Sequence, residues 1–165
     1  MADQKQLDKV FLNIAKEVSE LSYCVRAKVG CVIVLNHNII SMGYNGTPSG
    51  LDNCCEDKKY MDPEAGAWLD IETIEMQWPF HGNDGRYYLK TKDIVLHAES
   101  NALLKAAKFG FSTNAATMYC TLSPCIDCAK LILQAGIKRI VYLKEYNDIR
   151  GLNLLKNFVE IEKYV

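Results

Sequence analysis

Two short segments of the chain hold residues able to do chemistry together: His97-Ala98-Glu99 and Pro124-Cys125-Ile126-Asp127-Cys128. Ser123 suits a helix N-cap and Pro124 the first helical position, so Cys125 and Cys128 should lie in the first turn, three apart and on one face. The positive end of a helix dipole there favours thiolates over thiols. Two thiolates and the His97 imidazole form a Cys2His set of the kind zinc accepts. A structural zinc is usually closed by four protein ligands, whereas three leave a position for water. Bound zinc can lower the pKa of water from about 15.7 toward about 7. Glu99, two residues beyond His97, is placed to move the proton without being a ligand. The implied chemistry is hydrolysis at an electrophilic carbon.

Each part alone has a plainer reading. A lone CxxC can be a structural zinc knuckle completed by Cys54, Cys55 or Cys120, or a redox pair beside a βαβ unit. A lone histidine is more often a satisfied core residue, and a lone helix-terminal glutamate is usually solvated. The joint pattern is far more specific than its parts.

The elements that must position these residues follow from apolar spacing. Leu7, Val10, Phe11, Ile14, Val18 and Leu21 step by three or four and predict an amphipathic helix after an Asp3 N-cap. Val29 to Leu35, the turn-like Asn36-His37-Asn38, and Ile39 to Tyr44 predict a β-hairpin. Ile94-Val95-Leu96 reads as a strand leading into a helix from Ala98 to Lys108. Thr117 to Thr121, Cys125 to Gln134 and Arg139 to Leu143 then read as a βαβ unit, which requires parallel sheet. A helix near Ile149 to Asn157 and a strand within Phe158 to Tyr164 close the series. The segment of about Leu51 to Lys92 has no sustained periodicity, yet Trp68, Trp78, Tyr87 and Tyr88 make it too apolar for a linker. It reads as a structured insertion within a single domain over residues 1–165.

Composition sets the outer limits. The 165 residues are 49% hydrophobic and 24% charged, as expected of a soluble domain, with no apolar run able to span a bilayer and no visible secretion signal. Nineteen basic against twenty acidic residues give a net charge of -1, which argues against long nucleic acid as a partner. An odd number of cysteines, seven, without an export signal favours metal ligation or buried thiols over a disulfide framework.

The order and context of the two segments match the H-x-E…P-C-x-x-C signature of zinc nucleobase deaminases. Over nearly its whole length the chain resembles the deoxycytidylate (dCMP) deaminases of bacteriophages and bacteria. The resemblance is carried by Lys28-Val29-Gly30-Cys31, Gly43-Tyr44-Asn45-Gly46-Thr47-Pro48, Asn53-Cys54-Cys55, His97-Ala98-Glu99-Ser100-Asn101-Ala102, the Met118 to Cys125 stretch, and Gln134-Ala135-Gly136-Ile137-Lys138. The zinc motif alone would equally suit deaminases of free cytidine or of adenine in transfer RNA; the Gly-Tyr-Asn-Gly element and the insertion narrow the choice.

The resemblance implies a three-layer α/β/α fold with a five-stranded mixed sheet, and the reaction of dCMP with water to give dUMP and ammonia for thymidylate synthesis. It implies zinc on His97, Cys125 and Cys128, with Glu99 as proton carrier. Asn45, Ser123 and Tyr146 are the implied substrate contacts. Activation by dCTP and inhibition by dTTP, with Mg2+ accompanying the triphosphate, would involve Gly43, Tyr44 and Gly46, with Arg26 and Lys28 as phosphate partners. A hexamer in the cytoplasm is the implied state, with Lys105 and Lys108 on a face resembling subunit contacts. Some relatives carry a second zinc using histidines just before the catalytic one. None stands between Gly85 and Leu96 here, which leaves Cys54, Cys55 and His81 as the ligands such a site could use.

Overall fold

A computed structural model describes residues 3–61, 68–70 and 87–165. Helix α1 (Gln4–Ser19) starts where the spacing places it: the Asp3 side chain accepts from the Gln6 amide while the Gln6 side chain accepts from the Asp3 amide, a reciprocal capping box. Strands β1 (Gly30–Leu35) and β2 (Asn38–Tyr44) form the expected hairpin. Its two-residue turn holds Asn36 and His37 at φ of 49° and 65°, the left-handed pair that matches the twist of the strands.

The insertion folds into a small antiparallel sheet of order β4-β3-β5, made of β3 (Glu56–Met61), β4 (Trp68–Asp70) and β5 (Tyr87–Thr91). Then follow α2 (Ala98–Lys108), β6 (Thr117–Leu122), α3 (Ile126–Gln134), β7 (Arg139–Lys144), α4 (Arg150–Leu155) and β8 (Glu160–Lys163).

The main sheet has five strands in the order β2-β1-β6-β7-β8. β1 runs antiparallel to both neighbours, while β6, β7 and β8 are parallel, so the sheet is mixed as expected. Alternation along β1 assigns its side chains to two layers. Val32 and Val34 pack with Phe11, Leu12 and Ala15 of α1 on one face. Cys31 and Ile33 pack with Ala98, Ala102 and Ile132 of α2 and α3 on the other. α4 lies against α3, completing three layers with both sheet faces covered.

Ile94-Val95-Leu96 does not form a strand. Leu96 makes one isolated bridge with Gly46, each amide donating to the other's carbonyl. The run is apolar enough for a strand, but the Val95 amide turns back onto the Lys92 carbonyl, and Leu96 bonds to the turn-rich loop after β2. Gly43 explains how closely α2 approaches β2. A Cβ there would collide with the Ala98 carbonyl and the Ala102 amide, so glycine is needed for the contact that fixes the start of α2.

Candidate metal and proton-transfer site

Two helix starts converge on one point. His97 is the N-cap of α2, with φ −74° and ψ 157°, and Glu99 lies in that helix's first turn. Ser100 Oγ and the Asn101 amide both donate to the His97 carbonyl, at 2.9 Å each, and fix its backbone. On α3 the N-cap is Cys125, extended at φ −71° and ψ 173°. The expectation of a Ser123 cap therefore needs correction. Ser123 Oγ accepts instead from the Tyr146 amide at 2.8 Å, so its hydroxyl joins the end of β6 to the loop after β7.

His97 Nδ1 lies 3.3 Å from Cys125 Sγ and 3.5 Å from Cys128 Sγ. All three donor atoms lie within 4.8 Å of one another. A tetrahedral zinc with ordinary Zn–S and Zn–N bonds needs nitrogen–sulfur separations of about 3.6 Å, so the donor set fits this ion without rearrangement. His97 is exposed, Cys125 half-buried and Cys128 buried, which leaves the His97 side open toward a cavity. It is the one group of His, Cys, Asp or Glu among the described residues arranged to hold a metal.

The electrostatics divide the roles. Hydrogen bonding with Cys128, and then with His97, pulls the Cys125 thiol down to about 4, while the Cys125 bond and burial push Cys128 up. His97 is raised chiefly by its bond to Cys125. Glu99 is only 4% exposed, and burial raises its pKa against the smaller opposing effects of a backbone bond and the His97 charge. A carboxyl held up in this way suits taking a proton and giving it back.

A cavity of about 170 Å3 opens beside these groups; His97, Glu99 and Cys125 line one part of it, and Asn45, Ser123 and Tyr146 line it as well. Asn45 also has a structural task. Its side-chain oxygen accepts from the Val29 amide at 2.8 Å, and its side-chain nitrogen donates to the Ala27 carbonyl at 2.8 Å.

The five residues assigned to effector binding do not share one place. Arg26 lines this same cavity. Tyr44 and Gly46 line a separate groove of about 440 Å3 with Lys105, whose ammonium sits 5.1 Å from the Tyr44 ring centre. Gly43 is buried against α2, and Lys28 is an exposed residue paired with Glu20 at 2.9 Å.

The second metal set is also corrected. Cys55 is bonded to Cys24 in a disulfide with a Cα–Cα distance of 5.1 Å, inside the span a disulfide can bridge. A bonded Cys55 has no thiolate to give a metal; metal ligation or buried thiols were favoured over a disulfide framework, and the other five cysteines are free while these two pair. Cys54 Sγ donates to the Glu56 carbonyl at 3.4 Å, and His81 lies outside the described residues. Cavity residues with polar or sulfur-bearing side chains that the sequence reading did not single out are Cys24, Glu56 and Thr91. Glu56 sits in the charged run Glu56-Asp57-Lys58-Lys59, inside the insertion without sustained periodicity, and its partners Val25 and Arg26 lie about thirty residues upstream.

A mixed sheet presenting His, Cys and Cys at two helix starts, with a buried glutamate between them, has the architecture and donor set of the zinc nucleobase deaminases. Comparison with known proteins agrees. The model of the cytidine and deoxycytidylate deaminase zinc-binding region matches residues 5–144. The deoxycytidylate deaminase of Enterobacteria phage T4 is 41% identical over 152 residues, covering 82% of this chain and 77% of the relative. That of Saccharomyces cerevisiae is 35% identical, covering 91% of this chain and 42% of the longer yeast protein. The crystal structure of the dCMP deaminase of cyanophage S-TIM5 in complex with dCMP and dUMP superposes with a TM-score of 0.75 at 35% identity, over 99% of this chain and all of that one. The chain belongs to the cytidine and deoxycytidylate deaminase family.

Proposed function

We propose that this protein is a zinc-dependent dCMP deaminase, converting dCMP and water to dUMP and ammonia. The observation that carries the reading is the convergence of His97, Cys125 and Cys128 beside buried Glu99 at the wall of one cavity. The relatives named deoxycytidylate deaminase support dCMP as the substrate. Zinc bound by those three side chains would supply a water molecule acidic enough to lose its proton near neutral pH.

Glu99 accepts one proton of the attacking water and delivers it to N3 of the cytosine ring, then takes the second from the hydroxyl now on C4 and passes it to the departing amine, which leaves as ammonia. The burial of Glu99 raises the carboxyl's pKa and so favours its taking up a proton. Ser123 holds the Tyr146 loop against the cavity, and Tyr146 borders the substrate. The remaining side-chain hydrogen of Asn45 is the group it can offer a sugar hydroxyl. Arg26 meets the 5′-phosphate, a reassignment from effector to substrate supported by its place in the catalytic cavity.

Regulation by dCTP and dTTP with Mg2+ fits the groove bordered by Tyr44, Gly46 and Lys105 better than any position of Arg26 or Lys28. We propose further that residues 1–165 act as one deaminase domain, assembled as a hexamer, in the cytoplasm. No helix among the described residues is long and apolar enough to cross a membrane.

The test is ammonia release from dCMP, deoxycytidine, dCTP and transfer RNA, with and without added dCTP or dTTP. Turnover of dCMP well above the others is expected, with rates that the triphosphates move in opposite directions. Indifference to the 5′-phosphate would sink the dCMP assignment, and a hyperbolic rate curve unmoved by either triphosphate would sink the regulatory one.

A further inference from the structure

The loop that brings Arg26 to the cavity is gripped from the insertion at three points. Cys24 is bonded to Cys55. Glu56 Oε1 accepts from the amides of Val25 and Arg26, at 2.9 and 3.2 Å. Arg26 Nη1 donates to Thr91 Oγ1 at 3.1 Å. The last two grips come from a single place, because Glu56 and Thr91 are direct cross-strand partners in the β3–β5 ladder. Glu56, Thr91 and Arg26 all line the catalytic cavity.

Glu56 is 4% exposed. Burying a carboxylate is costly unless its bonds are made, and bonds from amides to an ionised acceptor are among the stronger ones. Two consecutive amides aimed at one oxygen form a cradle that ordinarily suits an anion, and here a protein carboxylate fills it. A substrate phosphate is thereby denied those amides and must be met by a side chain. Among the described residues the Arg26 guanidinium is held by a neutral hydroxyl and by no carboxylate, so its charge is left for an external anion.

We infer that Glu56, with Thr91, is a positioning residue for specificity: it locks the 25–26 backbone so that Arg26 stands where a 5′-phosphate is recognised, making the insertion the source of preference for nucleotide over nucleoside. This rests on the dCMP reading above. It assigns the insertion a part in substrate choice, and it places the decisive residue on a strand that carries none of the candidate zinc ligands.

The experiment compares kcat and KM for dCMP and for 2′-deoxycytidine in the wild-type chain and in Glu56→Ala, Glu56→Gln and Thr91→Val. Glu56→Ala should lower kcat/KM for dCMP by about 30-fold, chiefly through KM, and that for deoxycytidine by no more than about threefold, as expected for lost binding to a remote group. Glu56→Gln keeps an acceptor oxygen in place and should recover most of the preference. Thr91→Val, which frees only the guanidinium, should erode the preference by about threefold.

Equal losses on both substrates in Glu56→Ala would show a merely structural role and overturn the inference. If Glu56→Ala does not fold, an unchanged preference in Thr91→Val overturns it equally. A wild-type protein indifferent to the phosphate would instead fail the dCMP reading itself; a wild type that discriminates, with variants that discriminate as well, fails only the role of Glu56.

Discussion

Asp8 and Glu99 are buried almost equally, at 2% and 4% exposure, yet their acidities move in opposite directions. Burial favours the neutral form of both. At Asp8 that effect is overcome: Arg139 donates to both carboxylate oxygens at 2.7 Å, with further bonds from Gln4 and the Tyr119 hydroxyl, and the pKa falls below the usual value. Glu99 has no arginine or lysine among the described groups that shift it, and its pKa rises. The first acid ties α1 to β6 and β7 and is finished as a structural element. The second has no lysine or arginine among the described residues to hold it charged and lies at the edge of a cavity, which suits carrying a proton.

Removing the carboxyl from each separates the two roles, and the larger effect belongs to Glu99. Glu99→Gln should keep its zinc and its fold while deamination falls about 1000-fold, within the range general acid–base catalysis supplies. Ammonia release, metal content and thermal melting on the same preparation check this. A variant with near-full turnover would remove Glu99 from the chemistry.

Asp8→Ala should do the reverse, costing about 3 kcal/mol because Arg139 and Tyr119 lose their common partner, or roughly 5–10 °C in Tm. Turnover per folded molecule should stay unchanged. The pH dependence follows from the lowered pKa. A depressed carboxyl contributes its stability in full above the unfolded value of about 3.9 and loses it as pH falls through the folded value. Urea unfolding of wild type and Asp8→Asn should therefore differ at pH 7, with the gap starting to narrow only below about pH 4 and closing once the pH lies below the folded value. A gap that does not narrow at all as the pH falls from about 4 to about 2 would mean the ion pair is not what Asp8 contributes.

Gly43→Ala tests how the catalytic side is held in place. Its Cβ would meet the backbone of Ala98 and Ala102, groups that cannot swing aside, so α2 must shift. A cost of about 2 kcal/mol is expected. Because His97 and Glu99 begin that helix, zinc affinity should fall along with stability. Full zinc affinity in a destabilised variant would show that the start of α2 is fixed by something other than this contact.

These contrasts also explain what the sequence made legible. Apolar periodicity located α1, the hairpin and the β6-α3-β7 unit, because each buries a continuous stripe or face. The candidate ligands His97, Cys125 and Cys128 were readable because two helix starts carry them at fixed short spacing. Ser123 was misplaced by one local rule, since a long-range bond to the Tyr146 amide outcompetes capping. Glu56, Thr91 and the Cys24–Cys55 bond were invisible for a related reason. Each gets its meaning from a partner 30 to 65 positions away, and no local pattern records such a contact. Asp8 and Arg139, 131 positions apart, were hidden in the same way.

The smallest expected effect concerns Lys28, which the resemblance placed beside a nucleotide phosphate. It forms an ion pair with Glu20 at 2.9 Å, with the two side chains 44% and 68% exposed. Water screens such a pair, and its contribution should be no more than about 0.5 kcal/mol. Unlike Arg26, it borders neither the catalytic cavity nor the Tyr44 groove. Lys28→Ala should leave stability, dCMP turnover and the response to dCTP and dTTP close to wild type, as measured by melting and by rate curves with each triphosphate. A lost triphosphate response in this variant alone would restore the effector role and extend the regulatory surface toward the end of α1. An unchanged response would leave Arg26, held from the insertion, as the residue of the pair that serves nucleotide recognition.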